Sequence, residues 1–183
     1  MKFNPFPVIK TERLLLRKIE ESDYGDILFL RSDPIVNKFI ERPENRQTKN
    51  RADAIKFIKE LHKGIETNKT ISWGITLIGN HKIIGTICLW NFSENKKRAE
   101  VGYDLNPMCQ RKGIMNEALI QIIEFGFVNL NLDKIEAFTH AENENSIKLL
   151  VKNGFNVDEN RKDADNPNNL IFVIKRVSAN KHI

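Results

Sequence analysis

Two cysteines, Cys88 and Cys109, are all that the 183-residue chain contains. That excludes a disulfide framework and makes a reducing cytoplasm the expected compartment. No apolar run approaches the ~20 residues that a membrane helix needs, so no membrane partner is expected. Residues 1–10 hold Asn4, Pro5 and Pro7 and lack the apolar stretch of a secretory signal. Excess charge of one sign is also scarce. Lys and Arg total 29 against 24 Asp and Glu, a net charge of +5. Such a surplus suits an anionic ligand but is too small and too scattered to indicate nucleic acid, and no direct nucleic-acid contact is expected. His62, His81, His140 and His182 stand far apart, and neither C-x-x-C nor H-E-x-x-H occurs, so no metal is expected. No linker rich in Pro, Gly or Ser divides the chain, and no segment repeats. One domain over residues 1–183 is therefore expected, with Ser178 to Ile183 as a polar, frayed tail.

What is present is an ordinary globular composition, 40% hydrophobic and 29% charged. Arg13 to Ile19 reads as a strand. Ser22 is a candidate N-cap for a short helix carrying Ile27, Leu28 and Leu30, which ends near Asp33-Pro34 because the residue before proline avoids the helical region. Ala52 to Ile65 places Ala54, Ile55, Ile58, Leu61 and Ile65 at helical spacing. The period then changes to two. Ile71 to Ile78 and Lys82 to Phe92 read as strands of a hairpin around Gly79-Asn80. In Ala99 to Leu105, Val101, Tyr103 and Leu105 face one way, and Glu100, Gly102 and Asp104 the other. Met115 to Leu130 reads as a helix, Lys134 to His140 as a strand and Glu144 to Lys152 as a helix with Gly154 just beyond its end. Phe155 to Asp158 and Leu170 to Val177 read as the last strands. The expected fold class is α/β, with antiparallel strands first and then a strand–helix–strand–helix stretch.

Ala99 to Ala118 carries the clearest chemistry. A strand runs into Asn106-Pro107, then into Gln110-Arg111-Lys112-Gly113-Ile114-Met115, then into a helix. Such a turn gathers backbone N–H groups and a helix N-terminus around one spot, a concavity suited to phosphate oxygens. Gly113 admits an anion close to the backbone, and Arg111 and Lys112 add positive charge. The pattern is neither G-x-G-x-x-G nor a Walker loop. On the turn alone, a phosphate site and a basic, solvated strand–helix turn are equally good readings.

Gln110 to Met115 followed by Glu117-Ala118-Leu119 resembles the Q/R-x-x-G-x-G/A loop of the GNAT superfamily of N-acetyltransferases. Thr11-Glu12-Arg13-Leu14 through Arg17 resembles the T-E-R-L-x-L-R opening of its branch that acetylates the N-terminal alanine or serine of ribosomal proteins. Ala99-Glu100-Val101-Gly102-Tyr103 resembles the fourth strand of that branch. Asn143-Glu144-Asn145-Ser146 and Lys152-Asn153-Gly154-Phe155 resemble its N-x-x-S…K-x-G-F helix. The four motifs stand in the order and at the spacing of that branch, and the resemblance covers roughly Thr11 to Arg176. The resemblance implies one mixed, twisted sheet of about seven strands flanked by about four helices, with two central strands splayed apart.

It also implies acetyl-CoA as co-substrate and a primary amine as acceptor, either a protein N-terminus or a small molecule. The pantetheine arm would pair with Tyr103, Asp104 and Leu105 in the manner of an added strand. The pyrophosphate would rest on the amides of Arg111, Lys112, Gly113, Ile114 and Met115, with Gln110 at the rim. Met115 departs from the Gly or Ala common there. Asn143 would bond the pantetheine, and Lys152 would approach the 3′-phosphate. Glu100 matches a glutamate that serves as base in several members, with Asp104 and His140 as further candidates. The N–H of Leu105 would hold the oxyanion. A tyrosine that often protonates the leaving thiolate is replaced by Leu150, and Ser146 is the expected substitute. Cys109, beside the loop, reads first as a small, partly buried packing residue and only second as an acetyl acceptor. The acceptor would be shaped by Asp33 to Ile65 and Asp158 to Asn169. A silent acyl-CoA-binding module is the rival to an enzyme, and the state is monomer or homodimer.

Overall fold

The computed structural model describes residues 2–177; the expected tail, Ser178 to Ile183, lies outside the described residues. Eight strands form one sheet: β1 (Ile9–Lys10), β2 (Leu14–Arg17), β3 (Ile71–Leu77), β4 (Gly85–Trp90), β5 (Arg98–Leu105), β6 (Lys134–His140), β7 (Asn156–Val157) and β8 (Asn169–Lys175). Their order is β1-β2-β3-β4-β5-β6-β8-β7. Four α-helices accompany it: α1 (Tyr24–Ser32), α2 (Arg51–Glu66), α3 (Ile114–Glu124) and α4 (Glu144–Lys152). The eighth strand, beyond the seven read from the sequence, is the two-residue β1. It lies outside the expected strand because Thr11 turns the chain there: its N–H donates to the Leu14 carbonyl, and its hydroxyl accepts from the Leu14 N–H at 2.9 Å.

Two apolar layers hold the helices to the sheet. Trp73, Ile87, Leu89 and Val101 pack on one face with Met115, Leu119 and Ile122 of α3 and Leu150 of α4. Ile19, Ile27, Leu30, Ala54, Ile58 and Ile83 form a second cluster under α1 and α2. Burial of each of the Leu, Ile, Val and Met side chains among them contributes about 1.5–3 kcal/mol. Some boundaries differ from the sequence reading. Ser22 does not cap α1. Instead Asp23 accepts from the Glu20 N–H at 2.7 Å and grips the Arg17 guanidinium with both oxygens at 2.8 Å. The helix expected over Met115 to Leu130 is α-helical only to Glu124, then widens over Phe125–Asn129. There Gly126 approaches Ile135 so closely that a Cβ would come within 2.8 Å of its side chain.

The Thr11–Arg17 motif has a visible mechanical role. The Thr11 hydroxyl donates to Glu117 Oε1 at 2.5 Å, and Arg13 Nε donates to Glu117 Oε2 at 2.7 Å. Arg13 also donates to the Lys112 carbonyl at 3.1 Å. The opening segment thus pins the first turn of α3, while Arg17 pins the entry to α1.

Candidate active site

The turn before α3 is shaped for an anion. Gly113 has φ 74° and ψ 2°, and Arg111 also lies in the left-handed region at φ 59°. Two left-handed residues alternating with right-handed ones make successive N–H groups converge. None of the backbone N–H groups from Arg111 to Asn116 finds a hydrogen-bond partner among the described residues. No side chain caps the helix, so its positive end is open. Met115 does not obstruct this cradle, because its side chain is buried in the core beneath α3. Gln110 leans back, its amide 3.4 Å from the Leu105 carbonyl.

The cradle opens into a gap in the sheet. β5 and β6 run parallel but pair only over Arg98–Glu100 with Lys134–Glu136. Beyond that they part, and the inner edge of β5 has no strand beside it. Leu105 and Tyr103 sit at non-hydrogen-bonded positions opposite β4, since the Asn106 N–H reaches the Ile84 carbonyl across the Gly85–Leu105 pair. Their own N–H and C=O groups therefore point into the gap. On the α3 face of that gap, the Tyr103 hydroxyl lies 2.9 Å from Ser146 Oγ on the first turn of α4. Burial pushes the Tyr103 phenol up to about 12, partly opposed by the bond to Ser146. Asn143 is the N-cap of α4, accepting from the Ser146 N–H at 3.2 Å. Leu150, one turn beyond Ser146, is fully buried. Lys152 lines the groove as an exposed side chain.

The opposite face of β5 is ionic. Glu100 is buried and stands in register with Glu136 of β6. The two carboxyls are held differently. Glu136 is ringed by Arg161 at 2.7 Å, Lys134 at 2.9 Å and Arg98 at 3.2 Å. Burial would raise its carboxyl, but these cations outweigh it and bring it down to about 2. Glu100 has Asn91 Nδ2 at 2.5 Å and Arg98 only at 3.4 Å. Burial, with the Glu136 charge behind it, leaves the Glu100 carboxyl raised despite the Asn91 bond. A carboxylate lifted toward neutrality suits proton abstraction from an ammonium. Four residues on, Asp104 is raised by burial, and the Thr86 N–H and hydroxyl at 3.0 and 2.9 Å, with Arg42 and Arg31 nearby, offset part of this. Gly102 lies between them, where a Cβ would press within 3.3 Å of Cys88 Sγ, so the floor between the two carboxyls carries no side chain.

One groove of about 1770 Å³ joins both faces, lined by Gly113 and Ser146 at one end and by Glu100, Asp104, Arg42 and Arg161 at the other. The structure thus brings Glu100, Tyr103, Asp104, Leu105, Gln110 to Met115, Asn143, Ser146 and Lys152 around one space. His140 also lines it, but its Nδ1 accepts from the Glu142 N–H at 3.1 Å and its ring stacks on Phe39 at 5.3 Å. Cys109 is half-buried against the core. Sequence reasoning did not single out Asn91, Arg31, Arg42, Glu136 or Arg161. Asn91, at φ 46° where β4 ends, carried a faint signal, since asparagine tolerates that region. The others meet only through the fold.

An open sheet whose central parallel strands part beside an uncapped helix N-terminus, with a raised glutamate across the gap, defines the class: an N-acetyltransferase. Residues 13–156 match the family described as "Acetyltransferase (GNAT) domain", and the chain belongs to that family. It is 32% identical over 152 residues to the uncharacterized N-acetyltransferase YoaA of Bacillus subtilis, covering 82% of this chain and 83% of that one. Its fold is similar to that of ribosomal-protein-S5-alanine acetyltransferase from Vibrio fischeri, with TM-score 0.79, 22% identity and coverage of 94% and 98%. It is also similar to RimL, a ribosomal L7/L12 alpha-N-protein acetyltransferase in complex with coenzyme A, with TM-score 0.78, 15% identity and coverage of 92% and 98%. Among the described residues no helix is long and apolar enough to cross a membrane.

Proposed function

We propose that this chain transfers acetyl from acetyl-CoA to a primary amine, with the α-amine of a protein N-terminus as the first acceptor class. The observation that carries this reading is the set of unpartnered N–H groups from Arg111 to Asn116, opening into the gap whose far side holds Glu100. RimL, which shares the fold, has been seen with coenzyme A. The residues present fit that co-substrate. The cradle takes the pyrophosphate, the inner edge of β5 offers the N–H groups of Tyr103 and Leu105 and the Tyr103 C=O to amides of the arm, and Asn143 keeps its side-chain N–H₂ to donate.

An acceptor amine enters as an ammonium on the Gly102 side. Glu100 removes a proton, directly or through one water, and the freed lone pair attacks the acetyl carbonyl. The Leu105 N–H holds the developing oxyanion. Ser146 lies where it can hydrogen-bond the departing sulfur. The chain's own residues thus orient both partners and hold the proton at Glu100 Oε.

The test is release of free CoA from acetyl-CoA in the presence of a peptide beginning with Ser or Ala, or of a small polyamine such as spermidine. Faster release with the peptide supports the proposal. Faster release with the polyamine moves the acceptor to small amines. CoA binding without release from either would make the chain a silent acyl-CoA-binding module and overturn the enzymatic reading.

A further inference from the structure

We infer that Tyr103 is a positioning residue that acts through Ser146, supplying from β5 the phenol that this chain lacks on α4. The inference rests on the proposed path of the acetyl-CoA arm along the edge of β5. Ser146 and Leu150 lie one turn apart on the same face of α4. Leu150 is sealed in the core and cannot donate a proton, so a proton donor for the leaving sulfur must come from elsewhere. The Tyr103 hydroxyl is placed for this, 2.9 Å from Ser146 Oγ and with no other hydrogen-bond partner among the described residues.

Either hydroxyl of this pair can donate. The inferred arrangement has Tyr103 donating, because Ser146 Oγ is the one protein partner its hydroxyl meets among the described residues, and it leaves the serine's own hydrogen free to point into the groove. Ser146 is not diverted to capping α4, because Asn143 does that. Burial keeps the phenol protonated across the working range. When the tetrahedral intermediate collapses, the C–S bond breaks and its electron pair goes to sulfur. The proton on Ser146 Oγ passes to sulfur as the Tyr103 proton passes to Oγ. The second proton of the intermediate's nitrogen, lost as the amide forms, is carried by water in the open groove and returns through Ser146 to the phenol. CoA leaves as the thiol, and the proton released overall is the one the ammonium gave to Glu100.

The test needs no acceptor. Bound CoA is titrated by the ultraviolet absorbance of its thiolate, in the wild-type protein and in Tyr103→Phe, Ser146→Ala and the double variant. A hydrogen bond to the thiolate should lower the bound thiol's pKa below that of free CoA by about one unit. Ser146→Ala should restore the free value. Tyr103→Phe should recover most of it, with CoA affinity within about threefold of wild type and unchanged thermal unfolding. The double variant should shift no further than Ser146→Ala alone. Ser146→Thr, which keeps the hydroxyl, should behave as wild type. If Tyr103→Phe leaves the bound thiol where the wild type has it, or if the two shifts add in the double variant, the inference is overturned. Failure of the reading beneath it looks different: CoA would not bind, or would bind without any shift in the wild-type protein.

Discussion

The two sides of β5 are built from different materials. Toward α3 and α4, the groove is made of main chain: unpartnered N–H groups at Arg111 to Asn116 and the bare strand edge at Tyr103 and Leu105. Toward the loop after α1, it is made of side-chain charge: Glu100, Glu136, Asp104, Arg42 and Arg161. A ligand common to a whole family is best held by backbone, whose geometry survives changes of side chain. An acceptor that differs from member to member is best read by side chains, which can change without disturbing the fold. On the proposed function, the division between shared and variable chemistry is the division between the two faces of one strand.

The comparison is most easily broken at Gly113. Its φ of 74° favours glycine, and its Cα faces the open cradle, with only Arg13 Nη2 within 3.5 Å of a would-be Cβ. Gly113→Glu should place a carboxylate against the pyrophosphate and lower CoA affinity by on the order of 100-fold or more, read by calorimetry. Gly113→Ala separates the backbone contribution, costing about 1 kcal/mol in stability and little in affinity. A Glu variant that binds CoA normally would mean that the cradle does not hold the phosphates.

Glu100→Gln sharpens the other side. The amide keeps the shape and the contact with Asn91 but accepts no proton. Turnover near neutral pH should fall by about 100-fold or more, with CoA affinity unchanged. The pH profile makes the test specific. Burial raises the Glu100 carboxyl, so wild-type turnover should rise with pH as that carboxyl ionises. In the variant that limb should vanish, and activity should return only as the acceptor amine loses its own proton in alkaline solution. An unchanged profile would place the base elsewhere, with Asp104 next in line.

How much of this was legible follows the same division. The cradle could be read from Gln110 to Met115 because a turn of that kind is local: six consecutive residues set its dihedrals and its free N–H groups. The strand carrying Glu100, Tyr103 and Leu105 was legible from period-two alternation, which also gave the correct face to each residue. The contact of Tyr103 with Ser146 was not, since 43 residues separate them and only the α4 packing brings them together. The ring around Glu136 was equally hidden. Arg98, Lys134 and Arg161 come from three segments, and nothing in their spacing announces a common partner. Ser22 misled because a serine before a helical run suggests a cap, whereas Asp23 had a better partner in Arg17. Local chemistry was readable in the chain, and chemistry assembled across the sheet was not.

The in-register pair Glu100 and Glu136 carries the comparison down to single side chains. Two glutamates lie side by side on one face, and their neighbours shift their carboxyls in opposite directions. Glu136, fully buried, is balanced by three cations, so its role is to hold β6, β5 and the Arg161 loop together rather than to exchange protons. Its carboxyl falls from an ordinary 4.5 to about 2, so between those values the unfolded chain binds the extra proton and the folded one does not. The stability it contributes is then complete above about pH 4.5 and lost as pH falls toward about 2. Glu136→Gln should cost about 2 kcal/mol at neutral pH, less than for a fully desolvated pair because Lys134 and Arg161 remain partly exposed to water. The deficit relative to wild type should shrink as unfolding is measured at lower pH, where the wild-type carboxyl is itself close to protonation. CoA affinity should not move, because Glu136 lies on the other side of β5 from the cradle. A variant as stable as wild type at neutral pH, or a deficit that stays constant down to about pH 2, would show that the ring is surface charge and not a clasp, and the contrast between the two glutamates would lose its structural half.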